Sequence, residues 1–270
     1  MSFYPSKDIL SIGSIGCNFA CDFCQNCEIS QANIQEYTHL RELSKEYITD
    51  LLEAEENTVG LAFTYNEPAI WIETVTEYAE TVRAAGFKTV MVTNGYMHEK
   101  AIHGFCRVID AFNVDLKSFS ERFYKKITGG SLQPVLNNLK SIKRFGSHLE
   151  LTNLIVPGEN SDEREFKEMV HWISHELGPD TVLHISRYFP KHLRQSEATD
   201  ESLLESLFYI ANEQLSYVYL ANSNNRVGRD TFCPSCNNQA IHRSGYYTIM
   251  VGLSEQGTCI NCNHKIIKHL

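Results

Sequence analysis

Cys17, Cys21 and Cys24 stand close together in the stretch Gly16-Cys-Asn-Phe-Ala-Cys-Asp-Phe-Cys-Gln25. Thiolates are the usual holders of iron–sulfur clusters. Three of them spaced C-x3-C-x2-C suit a four-iron cluster with one iron left open, where a substrate or cofactor can bind. A cluster closed by four cysteines would instead pass electrons. Cys27 is a candidate fourth ligand, but the ferredoxin order is C-x2-C-x2-C-x3-C followed by Pro. Here the longer gap comes first and Gln25 follows Cys24. Zinc is the other common destination of clustered cysteines, and it favours two separated C-x2-C pairs.

Such pairs do occur near the C-terminus, as Cys233-Pro-Ser-Cys236 and Cys259-Ile-Asn-Cys262, with 22 residues between them. Four thiolates make a closed tetrahedral zinc site without an open position, and a four-cysteine set also suits iron. Residues 241–253, with Tyr246, Tyr247, Ile249 and Val251, read as strand material for a hairpin between the pairs. The expectation is a zinc-ribbon-like domain at 231–270, joined by a polar linker at 222–230 to a main domain at 1–221. Cys27 and Cys106 are then left without a ligand role.

The chain has 270 residues, 43% hydrophobic and 21% charged, which is ordinary globular composition. Its net charge of -9 disfavours a general nucleic-acid binder, whose footprint is a basic patch. No apolar run approaches the roughly 18 residues of a membrane span, and residues 1–7 carry no signal-peptide apolar region. These features predict a cytoplasmic protein whose nine cysteines are reduced metal ligands or free thiols rather than disulfides.

The elements that must position the cysteines alternate. Strands are expected at 8–15, 58–64, 88–93, 111–116, 149–156, 181–185 and 216–220. Helices are expected at 43–56, 69–85, 132–145, after a cap at Asn160 or Ser161, and over 200–214. The fourth of these helices buries Phe166, Met169, Val170, Ile173 and Leu177 at helical spacing. Repeated βα units argue for an α/β fold with a parallel sheet and helices outside. Periodicity does not choose between a partial barrel and a doubly wound sheet. In either, sites form at the C-terminal strand ends. Polar motifs fall there in succession: Thr64-Tyr-Asn-Glu-Pro68, Val92-Thr-Asn-Gly95, Asp115-Leu-Lys117 and His184-Ile-Ser-Arg187. Their shared placement points to one small-molecule site.

The cysteine spacing, with Phe23 before the third cysteine, resembles the signature of the radical S-adenosylmethionine (SAM) superfamily. Together with Thr-Tyr-Asn-Glu-Pro, Val-Thr-Asn-Gly-Tyr, Asp-Leu-Lys and Val-Pro-Gly, the pattern resembles the radical SAM proteins of the AmmeMemoRadiSam system, which are similar to pyruvate formate-lyase activating enzymes. The resemblance implies a partial (β/α)6 barrel, a [4Fe-4S] cluster on Cys17, Cys21 and Cys24, and SAM on its open iron. It carries the SAM amino-group contact to the Asn66–Glu67 motif, ribose and carboxylate contacts to Thr93 and Asn94, and further SAM contacts to Asp115, Lys117 and His184. The implied chemistry is reductive cleavage of SAM to a 5′-deoxyadenosyl radical that abstracts hydrogen from an unidentified substrate. A protein partner or a small molecule would be that substrate, and a flavodoxin or ferredoxin the electron donor.

Cys27 stands where the family often has Trp. Two further departures weaken the case for a glycyl-radical activase: Val92 replaces an Asp near a monovalent cation, and Thr152 and Asn153 stand where activases carry a basic residue. The rival of another class is a metal-binding adaptor or electron carrier, for which both cysteine groups hold zinc or a closed cluster.

Overall fold

The computed structural model describes residues 2–33, 35, 40–245 and 247–270, and the Tyr246 of the expected hairpin lies outside them. The chain divides into two compact units, one of Asp8–Leu149 with Phe189–Glu197, the other of Met1–Lys7, Glu150–Tyr188 and Ala198–Leu270.

In the first unit, β1 (Asp8–Ile12), β2 (Thr58–Phe63), β3 (Lys88–Thr93) and β4 (Ala111–Asp115) pair in parallel in chain order. Their helices are α1 (Cys27–Ser30), α2 (Lys45–Ala54), α3 (Ile72–Ala84), α4 (Glu99–Val108), α5 (Glu121–Phe123) and α6 (Leu132–Phe145). The strands read as near-continuous apolar runs because a parallel sheet is covered on both faces. Leu61, Ala62 and Phe63 in β2, and Val90 and Met91 in β3, are all buried. Val75, Ala79 and Val82 form the buried stripe of α3 at the spacing one helix face requires.

One glycine is indispensable to this sheet. Gly60 sits beside Lys88 in the β2–β3 register with φ +152°, and a Cβ there would lie 1.9 Å from the Lys88 carbonyl oxygen. Backbone cannot yield as a side chain can. Gly60→Ala should cost about 4 kcal/mol or more, read as loss of soluble protein or as a lowered urea midpoint.

In the second unit, β5 (His148–Ile155, from Glu150 on), β6 (Val182–Arg187) and β7 (Val218–Ala221) are again parallel in chain order, with α7 (Glu163–Trp172) and α8 (Glu201–Asn212) between them. The expected apolar face of α7 is buried, with Ile173 and Leu177 carried on a wider π-helical turn that continues it. The cap is not Asn160 or Ser161 but Asp162, whose side chain accepts the Glu165 amide. Asn160 is instead used by the preceding turn, accepting the Val156 amide at 2.7 Å and donating to the Leu154 carbonyl at 2.8 Å.

The tail adds an antiparallel sheet of β8 (Thr231–Phe232), β9 (Gln239–Ser244) and β10 (Tyr247–Met250) in the order β10-β9-β8. It is not a free appendage. Cys233, Ala240, Ile241, Cys259, Ile266 and Ile267 pack with Val182, Tyr217 and Tyr219 in one apolar cluster. The C-terminus is tied down as well, since the Tyr4 amide donates to the His269 carbonyl at 3.2 Å. Among the described residues, no helix is long and apolar enough to cross a membrane.

Candidate active site

The loop bearing the three cysteines leaves β1 and is clamped from several sides. Asn66, from the motif after β2, accepts the Ser14 amide at 2.9 Å and donates to the Gly16 carbonyl at 3.1 Å. The Gly16 amide reaches the Ile29 carbonyl and the Ala20 amide the Thr128 carbonyl, each at 2.9 Å. Asp22 forms a two-pronged pair with Arg194, at 3.1 Å through Nε and 2.7 Å through Nη2. Phe19 and Phe23 turn inward and are buried. The loop is therefore held at both ends and in its middle, with Cys21 buried and Cys17 and Cys24 half-buried.

The strand-end motifs meet this loop. The Asn94 side-chain amide lies 3.8 Å from Cys17 Sγ and donates to Asn18 Oδ1 at 2.7 Å. Asn18 in turn donates to the Tyr96 carbonyl at 2.6 Å. The Cys17 sulfur also accepts the Phe19 amide at 3.4 Å. Beneath them Glu67, which is only 2% exposed, acts as a hub. Its Oε1 accepts the Thr93 hydroxyl at 2.6 Å and the Ala69 amide at 3.0 Å, and its Oε2 accepts the Asn94 amide at 2.8 Å. Burial raises the carboxyl of Glu67, and those three donors act against that rise. Pro68 occupies the first position of the short 3-10 turn that leads into α3, as its missing N–H allows.

Asp115 and Lys117 form an ion pair, Oδ2 to Nζ 3.0 Å. Burial disfavours the Lys117 ammonium, yet the charge of Asp115 raises it above the ordinary lysine range. It stays charged beside the cysteine loop, 6.0 Å from the Phe23 ring centre. Burial pushes the Cys21 thiol up to about 11 and raises that of Cys17, so in the free protein both favour the neutral form. A bound metal reverses that preference.

His184 belongs to the other unit. Its Nε2 lies 2.5 Å from Oε2 of the fully buried Glu150, and its ring stacks on Tyr219 at 5.5 Å. Glu150 also accepts the Ser2 amide at 2.7 Å. Arg187, a candidate carboxylate binder at the same strand end, pairs with Glu201 at 2.8 Å and donates to the Thr199 carbonyl at 2.8 Å.

The tail thiols are arranged differently from the triplet. Among the described residues, Cys233, Cys236, Cys259 and Cys262 alone gather three or more metal-ligating atoms within 4.8 Å of one another. Cys233 and Cys262 stand 3.5 Å apart at sulfur, and Cys236 and Cys259 3.6 Å. Four sulfurs about 2.3 Å from one ion would stand about 3.8 Å apart, so the set fits a single tetrahedral metal. The two knuckles repeat one geometry. In each, the residue after the second cysteine is an Asn with positive φ (Asn237, +57°; Asn263, +62°) whose amide returns to the first cysteine's carbonyl at 2.8 Å. Hydrogen bonds from Asn261 and the Asn238 amide favour a thiolate at Cys236. Among the described residues, Cys17, Cys21 and Cys24 form no such knot.

Sequence reasoning passed over several residues that matter here. Asn18, Asp22 and Arg194 brace the cysteine loop, Glu150 partners His184, and buried Asn138 holds the Gly95 and Met97 carbonyls at 2.9 and 2.8 Å. Glu150 carried the clearest signal, as a carboxylate flanked by Leu149 and Leu151. The others lie in loops or pair across long sequence gaps, where periodicity is silent.

Comparisons with known proteins agree with this geometry. Residues 11–173 match the family described as the Radical SAM superfamily. An uncharacterized protein of Methanocaldococcus jannaschii, MJ0808, is 35% identical over 98% of this chain and 79% of its own length. The pyruvate formate-lyase-activating enzyme of Clostridium pasteurianum is 23% identical over 71% of this chain and 85% of its own length. The crystal structure of Streptococcus suis SuiB shares the fold with a TM-score of 0.63 at 14% identity, covering 83% of this chain and 50% of that one. The α/β architecture is that of the partial barrel these proteins share, the sequence is related to the activating enzymes, and the chain belongs to the radical SAM superfamily of enzymes.

Proposed function

We propose that Cys17, Cys21 and Cys24 hold a [4Fe-4S] cluster whose open iron takes SAM, and that the enzyme abstracts a hydrogen atom from a partner protein or a small molecule. When bound, the cluster and SAM supply a one-electron cleavage of the sulfonium that yields a 5′-deoxyadenosyl radical. The observation that carries the reading is the approach of Asn94 to Cys17, which brings the strand-end motif and the cysteine loop to one place.

The chain's own residues then do three things. Asn66 fixes the loop that bears the thiolates. Glu67 fixes Thr93 and the Asn94 amide, so that Thr93 and Asn94 face ribose and carboxylate oxygens while the Glu67 carboxylate receives the ammonium. Lys117, held by Asp115, sets a positive charge beside the cysteine loop, and Asp115 and Lys117 add the further SAM contacts of this unit. Protein reconstituted with iron and sulfide should release 5′-deoxyadenosine from SAM under dithionite, with a flavodoxin or ferredoxin as the natural reductant. Absence of 5′-deoxyadenosine from cluster-loaded protein would overturn the reading.

Asn66→Ala tests the positioning step separately. It removes two hydrogen bonds worth about 1 kcal/mol each and should lower the melting midpoint by only several degrees, leaving the protein folded. Iron retention after gel filtration should fall, since the loop loses its clamp. The relation to activating enzymes favours one narrower reading, activation of a glycyl-radical enzyme. A glycyl EPR doublet on a partner protein would establish it. In the tail, the four thiols hold a structural zinc.

A further inference from the structure

Within the second unit, the end of β7, the segment after it and the tail hairpin enclose a cavity of about 420 Å³. Its walls include His184, Tyr219, Asn222, Asn225, Arg229 and Arg243. That volume lies in the range of small-molecule sites. Two guanidinium groups on one small cavity repel each other, so the disposition of nearby acceptors decides what the cavity can hold.

Arg243 is fixed from two directions. Its Nη1 donates to Thr231 Oγ1 at 2.8 Å and to the Arg229 carbonyl at 3.2 Å, and its guanidinium carbon lies 4.9 Å from the Tyr219 ring centre. Its Nη2 is buried and has no acceptor among the described residues, and neither has the buried Nε of Arg229. A buried donor without an acceptor costs about 1–3 kcal/mol. The carboxylates of this region already hold other donors, and Asp230 also feels the charge of Arg229. Asp230 accepts the Arg243 amide, His242 and Gln239. Glu201 is engaged by Arg187 and Ser223, and Glu205 by Asn225. None of these three carboxylates lines the cavity, although the chain as a whole carries a charge of -9.

The segment that shapes the cavity is also pinned. Asn222, at φ +56°, donates to Ser186 Oγ at 3.0 Å, and Gly228 accepts the Leu220 amide at 2.9 Å. A Cβ on Gly228 would lie 2.8 Å from the Phe208 ring and 3.0 Å from the Leu220 nitrogen. A fixed guanidinium fork at Arg243 and a second guanidinium at Arg229, with neutral amides around them, are the chemistry of oxyanion recognition. We infer that this cavity binds the phosphate or carboxylate group of a small molecule, with Arg229 and Arg243 as its cationic contacts.

The test uses the full chain, reconstituted with iron and zinc and saturated with SAM, so that the SAM site is already filled. Inorganic phosphate and succinate are titrated separately by calorimetry at low ionic strength. Saturable binding of either is expected, and which of the two binds identifies the group recognised. Arg229→Gln and Arg243→Gln should each weaken it about tenfold or more, the loss expected for one charge-assisted contact. Because Arg243 also supports the hairpin, Asn224→Asp is the companion variant. It adds a negative charge to the cavity wall, and it too should weaken binding, with metal content unchanged. The inference is overturned if neither probe binds saturably, or if Arg229→Gln and Asn224→Asp bind as tightly as the parent. Neither result depends on SAM cleavage, so failure here leaves the radical reading standing, and the reverse holds as well.

Discussion

Replacing Cys17, Cys21 and Cys24 together by Ala should remove the iron–sulfur chromophore and all 5′-deoxyadenosine formation, whereas Cys27→Ala should leave both. The difference follows from where the thiols stand. The three are carried on a loop whose path is set by Asn66, by the Asp22–Arg194 pair and by the buried rings of Phe19 and Phe23. Cys27 starts the short helix α1 and points to no bond with that loop's sulfurs among those described. Each thiolate would hold one iron, and a cubane deprived of all three protein ligands has nothing to hold it. The loss should be complete, not graded. Zinc content should stay the same in the triple variant, because the tail cysteines are untouched, and this separates cluster loss from unfolding. Iron and sulfide persisting in the triple variant would contradict the assignment.

The second large effect is expected on removing metal from the tail. Structural zinc in small domains contributes apparent binding free energies of about 10–16 kcal/mol, and that binding is folding. The apolar support available without metal is slight. The tail's buried side chains in the cluster are two of its own ligands, Cys233 and Cys259, with Ala240, Ile241, Ile266 and Ile267. Its outer face leaves Tyr247, Ile249 and Ile260 exposed. A strong chelator, or Cys236→Ser with Cys262→Ser, should therefore melt β8–β10 locally and uncover Val182, Tyr217 and Tyr219. Hydrogen exchange of the Gln239–Ser244 amides should rise to the rate of open chain, while the amides of β2 and β3 remain protected. Unchanged protection of β9 after metal removal would show that packing alone holds the tail.

Much of the scaffold was legible because its strands are buried on both faces. Lys88–Thr93 and Ala111–Asp115 could be read almost to the residue from their β-branched and apolar side chains. The cap of α7 could not, because Asn160, Ser161 and Asp162 are all competent caps in sequence. Only the turn's own demand for Asn160 decides among them. The site shows the same division. Asp115 and Lys117 lie two positions apart, so period two alone brought them together. Glu67 and Thr93 are separated by 26 positions, and their contact exists only because β2 and β3 pair in parallel. The same limit hid the two arginines of the tail cavity, which sit 14 positions apart and read in sequence as ordinary surface charge.

The most direct test of the central claim is the EPR spectrum of the reduced, reconstituted enzyme before and after SAM is added. An open iron that takes SAM predicts a reduced four-iron signal whose g-values shift on addition, with cluster iron and sulfide bound in a manner that depends on Cys17, Cys21 and Cys24. A spectrum that SAM leaves unmoved, or zinc without sulfide at those three cysteines, would contradict it.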